Sequence, residues 1–201
     1  MIFNGAGTPP MDKVLLERFF SGTRNGVFIE SGAYDGVFES ICKVLEDEMG
    51  WTGFNVEPNP TMFARLVKNR PKCVNINLAL SDKAGKATFR QPFVPGHGLE
   101  NTWGTLEVKK YDTGITHEVE TTTFKDLVEK HGIAKVDLWV LDVEGHEQHA
   151  IAGMAGCPVR PKIICAEHGH CSSASLSTWL EPFGYKYDMS HYYDSFFLWK
   201  G

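Results

Sequence analysis

Two acidic turns hold the residues of this chain best suited to chemistry. The first is Glu30-Ser31-Gly32-Ala33-Tyr34-Asp35-Gly36, and a further acid, Glu57, follows 21 residues after Gly36. The second is Asp142-Val143-Glu144-Gly145-His146-Glu147. A glycine-rich turn between an apolar run and a helix is where an α/β protein brings its backbone against a nucleotide-containing ligand. The charge beside that turn selects the ligand. A pyrophosphate site needs G-x-G-x-x-G opening on a helix N-terminus, and a carboxylate at Glu30 would repel the phosphates. S-adenosylmethionine has a sulfonium and an ammonium and no phosphate, so the same carboxylate attracts it. In the second turn, two carboxylates and an imidazole lie within five residues, which is costly unless each is solvated or paired. Imidazole titrates near neutral pH, so His146, or His168 of the pair Glu167-His168, is a candidate base for a hydroxyl acceptor. Asp142, Glu167 and His168 could instead form an oxygen-rich set for magnesium or manganese, which would lower the hydroxyl's pKa by coordination.

These side chains need a scaffold that delivers them to one edge. Short β-rich runs at 27–33, 52–57, 73–80, 136–143, 161–167, 185–189 and 195–200 alternate with helical patterns. Several are apolar nearly throughout, as strands buried on both faces are. The pattern predicts an α/β, Rossmann-like, doubly wound and mostly parallel seven-stranded sheet. Ligands of such sheets bind beyond the carboxyl ends of the strands, where Asp142 and Glu167 would arrive. Helix ends are legible as well. Asn59-Pro60 opens a helix to about Asn69, before Pro71, and Thr123-x-x-Asp126 caps one over 124–131 that Gly132 closes. Gly50 closes the helix after the first glycine turn, another begins at about Glu147, and Ser172 or Ser173 opens one carrying Leu176, Trp179 and Leu180.

Residues 1–26 read as a helical lead-in. About 55 residues separate Leu80 from Val136, far more than a crossover needs. Within them 88–91 and 118–122 are expected to pair as a hairpin inserted after the third strand. Residues 93–117 form an irregular excursion able to close over an acceptor, and Trp103 could stack on a sugar ring there.

With 201 residues, 42% of them hydrophobic, the chain supports one α/β domain. A net charge of −5, with no basic run longer than Lys109-Lys110, argues against a dedicated nucleic-acid surface. No apolar stretch approaches the length of a membrane span, and a cytoplasmic location is expected. Five scattered cysteines without a C-x-x-C pair do not complete a tetrahedral zinc site around Cys165 and Cys171. Oligomeric state is not readable from these features.

Four ordered motifs make the reading more specific: Glu30-x-Gly32-Ala33-Tyr34-Asp35-Gly36, Gly50 through Pro60, Ala79-Leu80-Ser81-Asp82-Lys83-x-Gly85, and Leu141 through Glu147. Together they resemble the FkbM family of S-adenosylmethionine-dependent methyltransferases, which typically act on hydroxyl oxygens of sugars and natural products. The resemblance implies that Glu30, Gly32, Ala33, Tyr34, Asp35 and Gly36 line the methionine end of the cofactor and that Glu57 holds the ribose hydroxyls. It places Pro58 and Asn59 on one side of the adenine, with Ala79, Leu80 and Ser81 on the other. Asp142 would lie near the transferring methyl, with Glu144, His146 and His168 close to the chemistry. The acceptor would be a small molecule, a sugar or another hydroxyl compound. The Trp51-Thr52-Gly53 form also resembles a Star-like branch, whose alternative is an interaction module that keeps the fold without catalysis. An NAD-dependent oxidoreductase would require phosphate-binding glycines that this chain lacks.

Overall fold

The computed structural model describes residues 1–91, 104–107 and 114–201. Along the chain run α1 (Met11–Phe19), β1 (Val27–Ser31), α2 (Lys43–Met49), β2 (Thr52–Val56), α3 (Pro60–Asn69), β3 (Val74–Ile76) and β4 (Ala79–Leu80). There follow β5 (Gly85–Gln91), β6 (Ile115–Thr122), α4 (Phe124–Lys130), β7 (Leu138–Leu141), α5 (Glu147–Ala152), β8 (Ile163–Glu167), α6 (Ser173–Leu180), β9 (Tyr185–His191) and β10 (Asp194–Trp199). A seven-stranded sheet has the order β3-β2-β1-β7-β8-β10-β9. It is parallel except for β10, which runs antiparallel to both β8 and β9. The fold is therefore Rossmann-like, as the alternating pattern predicts.

The continuous apolar runs serve two faces at once. Phe28, Leu138, Val140, Ile163, Cys165 and Phe196 pack toward α1 and α2, through Leu15, Leu16, Val44 and Leu45. Their neighbours Ile29, Trp139, Leu141, Ile164, Ala166 and Phe197 pack toward α4, α5 and α6, through Phe124, Leu127, Ile151 and Leu176. Side chains alternate across a strand, so a sheet covered on both faces needs apolar residues at every position. The helix signals are realised. Asn59 accepts from the Thr61 and Met62 amides at 2.9 and 3.3 Å, Thr123 from Asp126 at 2.9 Å and Ser172 from Ser175 at 3.0 Å. Gly50 closes α2 in the left-handed conformation, at φ +69°.

The expected run 73–80 divides into two strands in different sheets. Asn77 sits at the break, its side-chain amide donating to the Glu57 and Pro58 carbonyls at 2.7 and 3.2 Å. Beyond it β4 joins a three-stranded sheet of order β4-β6-β5. The expected hairpin is present, each strand starting three residues earlier than expected, and it pairs Gly85 with Thr121 through to Gln91 with Ile115. Thr105 bridges back to Arg90 through backbone bonds of 2.8 and 2.9 Å, so 104–107 lies along β5. Trp103 and most of the excursion 93–117 lie outside the described residues. Of the lead-in, 11–19 is helical. No helix among the described residues is long and apolar enough to cross a membrane.

Candidate functional site

The chain moves from β1 outward to β3 and returns on the other side of β1 with β7, so the switch point lies between β1 and β7. Their carboxyl ends are drawn together: the Asp142 amide donates to the Ser31 carbonyl at 3.1 Å. Gly32 makes this possible. It sits at φ +82°, and a Cβ there would stand 1.8 Å from the Asp142 carbonyl oxygen, so no other residue fits. The amides of Gly32 and Ala33 donate to the Val56 carbonyl at 3.0 and 3.1 Å, and that of Tyr34 to Glu57 Oε2 at 2.8 Å. Three successive N–H groups thus point at the end of β2, and none of the three is left to cradle a phosphate.

Behind the turn lies a buried charge network that sequence reasoning did not find. Arg70 is fully buried, with ion pairs to Glu30 at 3.3 Å and to Glu46, and it donates to the Gly36 carbonyl at 3.1 Å and Ser40 Oγ at 3.0 Å. Glu30 also accepts from Ser40 Oγ at 2.9 Å and the Cys42 amide at 3.2 Å. A Cβ on Gly36, at φ +78°, would meet the Arg70 stem and Leu66 at 2.6 Å. Asp35 accepts from the Val37 and Phe38 amides at 2.9 and 2.8 Å. The Glu30 carboxylate therefore holds the turn in shape, its charge answered by Arg70. Arg70 reads in the sequence only as the residue after α3, and its partners come from 24 and 40 positions away.

A cleft opens in front of the turn. Its walls include Glu30, Gly32, Ala33, Tyr34, Glu57, Pro58, Asn59, Ala79, Leu80, Asp142, Glu144 and His146, together with Phe89 and the segment 104–106. Sequence-expected residues from four separate segments thus converge on one cavity. Asp35, Gly36 and Ser81 are not part of its lining. Among the described lining residues there are carboxylates and no lysine or arginine. Glu57 Oε1 accepts from the Asn59 amide at 2.7 Å, which complements the Tyr34 bond on its other oxygen. Burial pushes this carboxyl up to about 7, and the two amides oppose the rise.

Asp142 lines the cleft at the same edge. Burial, followed by the charges of Glu167, Glu144, Asp194 and Glu147, holds its carboxyl well above the usual range. His146 is buried with both ring nitrogens engaged: Nε2 lies 3.0 Å from Ser81 Oγ and Nδ1 2.5 Å from Glu107 Oε1. Burial is the main cause of its lowered pKa, and Glu107 acts in the opposite sense. His168 turns toward the β9–β10 hairpin, with Nδ1 3.0 Å from Ser195 Oγ and its amide bonded to the Tyr193 carbonyl at 2.8 Å.

The expected metal set of Asp142, Glu167 and His168 is not assembled. Among the described residues, the groups whose ligand atoms come within 4.8 Å of one another are Glu144, Glu167 and His170, and Glu107, His146 and His149. The residues after β8 turn so that His170, not His168, faces Glu144, at 2.7 Å. Glu107 was not legible as a site residue, because it lies in an insertion whose path only the tertiary structure defines.

Comparison with known proteins agrees with this geometry. Residues 30–187 match the Methyltransferase FkbM domain. The chain is 25% identical over 152 residues to hexuronic acid methyltransferase AglP of Haloferax volcanii, a match covering 74% of this chain and 56% of that relative. Among solved structures, methyltransferase FkbM from Methylobacillus flagellatus KT superposes with a TM-score of 0.55 at 14% identity, over 90% of this chain and 46% of that one. The METTL16 MTase domain gives a TM-score of 0.54 at 12% identity, over 96% and 68%. The chain thus spans about half the length of AglP and of the M. flagellatus protein, and at these identities the solved structures speak to the fold. The family match, covering both turns and most of the chain, carries the assignment: this chain belongs to the FkbM methyltransferase domain family.

Proposed function

We propose that this protein is an S-adenosylmethionine-dependent methyltransferase whose acceptor is a hydroxyl of a sugar or another small polar molecule. One observation carries the reading. The cleft at the β1/β7 switch point is lined by carboxylates, without a lysine or arginine among its described residues, and the amides of its glycine turn are already bonded to β2. That environment suits a cofactor with a sulfonium, an ammonium and a ribose, and it disfavours a dinucleotide. In this reading Glu57 takes the ribose hydroxyls on its remaining lone pairs, and Ala79 and Leu80 meet the adenine. AglP, a hexuronic acid methyltransferase by name, supports a sugar-like acceptor.

Transfer is an in-line displacement. S-adenosylmethionine, held by Glu57, Ala79 and Leu80, would supply an electrophilic methyl with a neutral thioether as leaving group, and a base in the cleft wall would take the proton of the acceptor hydroxyl. Asp142 fits the role of base best, because it stands in the cleft wall at the end of β7 and burial with the neighbouring carboxylates raises its proton affinity above that of an ordinary aspartate. His146, tied at both nitrogens, shapes the wall, and no metal is required by this route.

Titration calorimetry with S-adenosylhomocysteine and with NAD tests the cofactor. Binding of the first and not the second is expected, and the reverse would overturn the proposal. Failure of both would favour the non-catalytic Star-like module. Methyl transfer from labelled cofactor to a panel of neutral and acidic sugars then tests the chemistry. Asp142→Asn should lower turnover by roughly 10²–10⁴-fold.

A further inference from the structure

Beside the cleft, four side chains from three separate segments meet in a pattern that the methyl-transfer reading does not use. His146 and His149 stand one helical turn apart at the start of α5, their rings stacked with centroids 4.5 Å apart and planes 16° apart. The Nδ1 of each faces a carboxylate: His146 meets Glu107 at 2.5 Å and His149 meets Asp82 at 3.6 Å. One ligand atom each from Glu107, His146 and His149 lies within 4.8 Å of the others. Ser81 sits behind this group, its Oγ 3.0 Å from His146 Nε2 and donating to Asp82 Oδ1 at 3.1 Å.

We propose that Glu107, His146 and His149 form a site for a divalent transition metal of the zinc class, which clasps the inserted segment to the wall of the cofactor cleft, with Ser81 and Asp82 orienting the two histidines. Two imidazoles and one carboxylate make the three protein ligands that zinc takes with water in the fourth position, and imidazole favours zinc, cobalt or nickel over magnesium. Ser81 supplies what metal-ligating histidines characteristically have, a hydrogen-bond partner on the second ring nitrogen that fixes the ring and presents the first. With Nδ1 on the metal, Nε2–H donates to Ser81 Oγ, and the Ser81 hydroxyl donates to Asp82. Metal–ligand bonds of about 2.0–2.2 Å at the tetrahedral angle set ligand atoms about 3.4 Å apart, so the Glu107 carboxylate must move back from His146 by nearly an ångström, a step open to a side chain 40% exposed.

The placement gives the ion a consequence. Asp82 follows the β4 end of the adenine wall, Glu107 follows the lining segment 104–106, and His146 lines the cleft itself. Gly104 lies against Phe89, where a Cβ would stand 2.0 Å from the ring, so this segment is seated directly over β5. An ion bridging the last two, with Asp82 held on His149, makes one wall of three loops. The site is distinct from Glu144, Glu167 and His170, which stand at the ends of β7 and β8.

The full chain, purified without chelator or affinity-tag histidines, tests this by cobalt titration followed through the visible absorption of a four-coordinate centre, with zinc as competitor. One equivalent of Co²⁺ displaced by Zn²⁺ is expected. His149→Ala and Glu107→Ala should each weaken Co²⁺ binding at least tenfold, and Ser81→Ala by roughly 10–100-fold. His170→Ala should leave it unchanged. His149 and Glu107 are half-exposed, so thermal melts should confirm that both variants fold, and Glu107→Ala decides if His149→Ala does not. Binding that survives both substitutions, binding lost in His170→Ala, or no cobalt spectrum at all overturns the inference. Calorimetry with S-adenosylhomocysteine on the same samples separates the two proposals: it reports on the cofactor reading in every case, and zinc should strengthen it only if the clasp exists.

Discussion

At the scale of single residues, Glu57 is the group whose environment makes the clearest prediction. Burial raises its carboxyl from the ordinary 4.5 to about 7. The folded chain then holds this proton more tightly than the unfolded chain. The contribution to stability is present below pH 4.5 and is lost as pH rises through 7. Ribose hydroxyls donate to the ionised carboxylate, so cofactor binding draws the group in the opposite direction. S-adenosylhomocysteine affinity should therefore rise with pH, by up to about tenfold between about pH 6 and 8. Glu57→Gln should abolish that rise and weaken binding by about 1.5–3 kcal/mol, the range for hydrogen bonds to a charged group. Calorimetry at several pH values reads both. A flat profile in the wild type would remove Glu57 from the cofactor contacts.

At the scale of elements, the glycine turn is held from behind. Arg70, at the end of α3, reaches Glu30 of β1 and Glu46 of α2, and its stem occupies the space that Gly36 leaves open. Removing one partner of a buried ion network strands the remaining charges away from water. Arg70→Ala is expected to cost about 3–5 kcal/mol in a urea titration. Arg70→Met combined with Glu30→Gln and Glu46→Gln removes the stranded charges and should recover much of that loss. If the single substitution cost less than about 1 kcal/mol, typical of an exposed pair, the network would not be holding the turn. The same logic explains why Glu30 reads in the sequence as a cofactor ligand: its position at the strand end is visible, and the arginine that engages it is not.

At the scale of the whole molecule, the cleft lies where the carboxyl edge of the seven-stranded sheet meets the three-stranded sheet. The β1 turn, the ends of β2 and β7, and the three-stranded sheet with 104–106 all contribute walls. A ligand bound across them stabilises only the folded arrangement. S-adenosylhomocysteine at a hundred times its dissociation constant should add about 2.7 kcal/mol. For a chain of this size, that corresponds to a melting-temperature rise of roughly 5–10 °C in a thermal scan. NAD at the same concentration should give no rise. A shift with NAD equal to that with S-adenosylhomocysteine would show that the cleft does not discriminate by charge.

What the sequence determined by itself is what local chemistry dictates. Apolar runs of strand length, the caps at Asn59, Thr123 and Ser172, and glycines at turns follow from backbone sterics and short-range hydrogen bonding, so the alternating α/β order and the two acidic turns were readable. The order of motifs placed Gly32, Glu57, Ala79 and Asp142 at one cleft. Tertiary structure decided everything that depends on partners far apart in the chain. It engaged Glu30 with Arg70, divided the run 73–80 between two sheets, turned His168 away from Asp142, and brought Glu107 onto His146. Such pairings leave no periodic signal, because a side chain's charge and length fix what it can bind, and only the path of the backbone decides what comes within its reach.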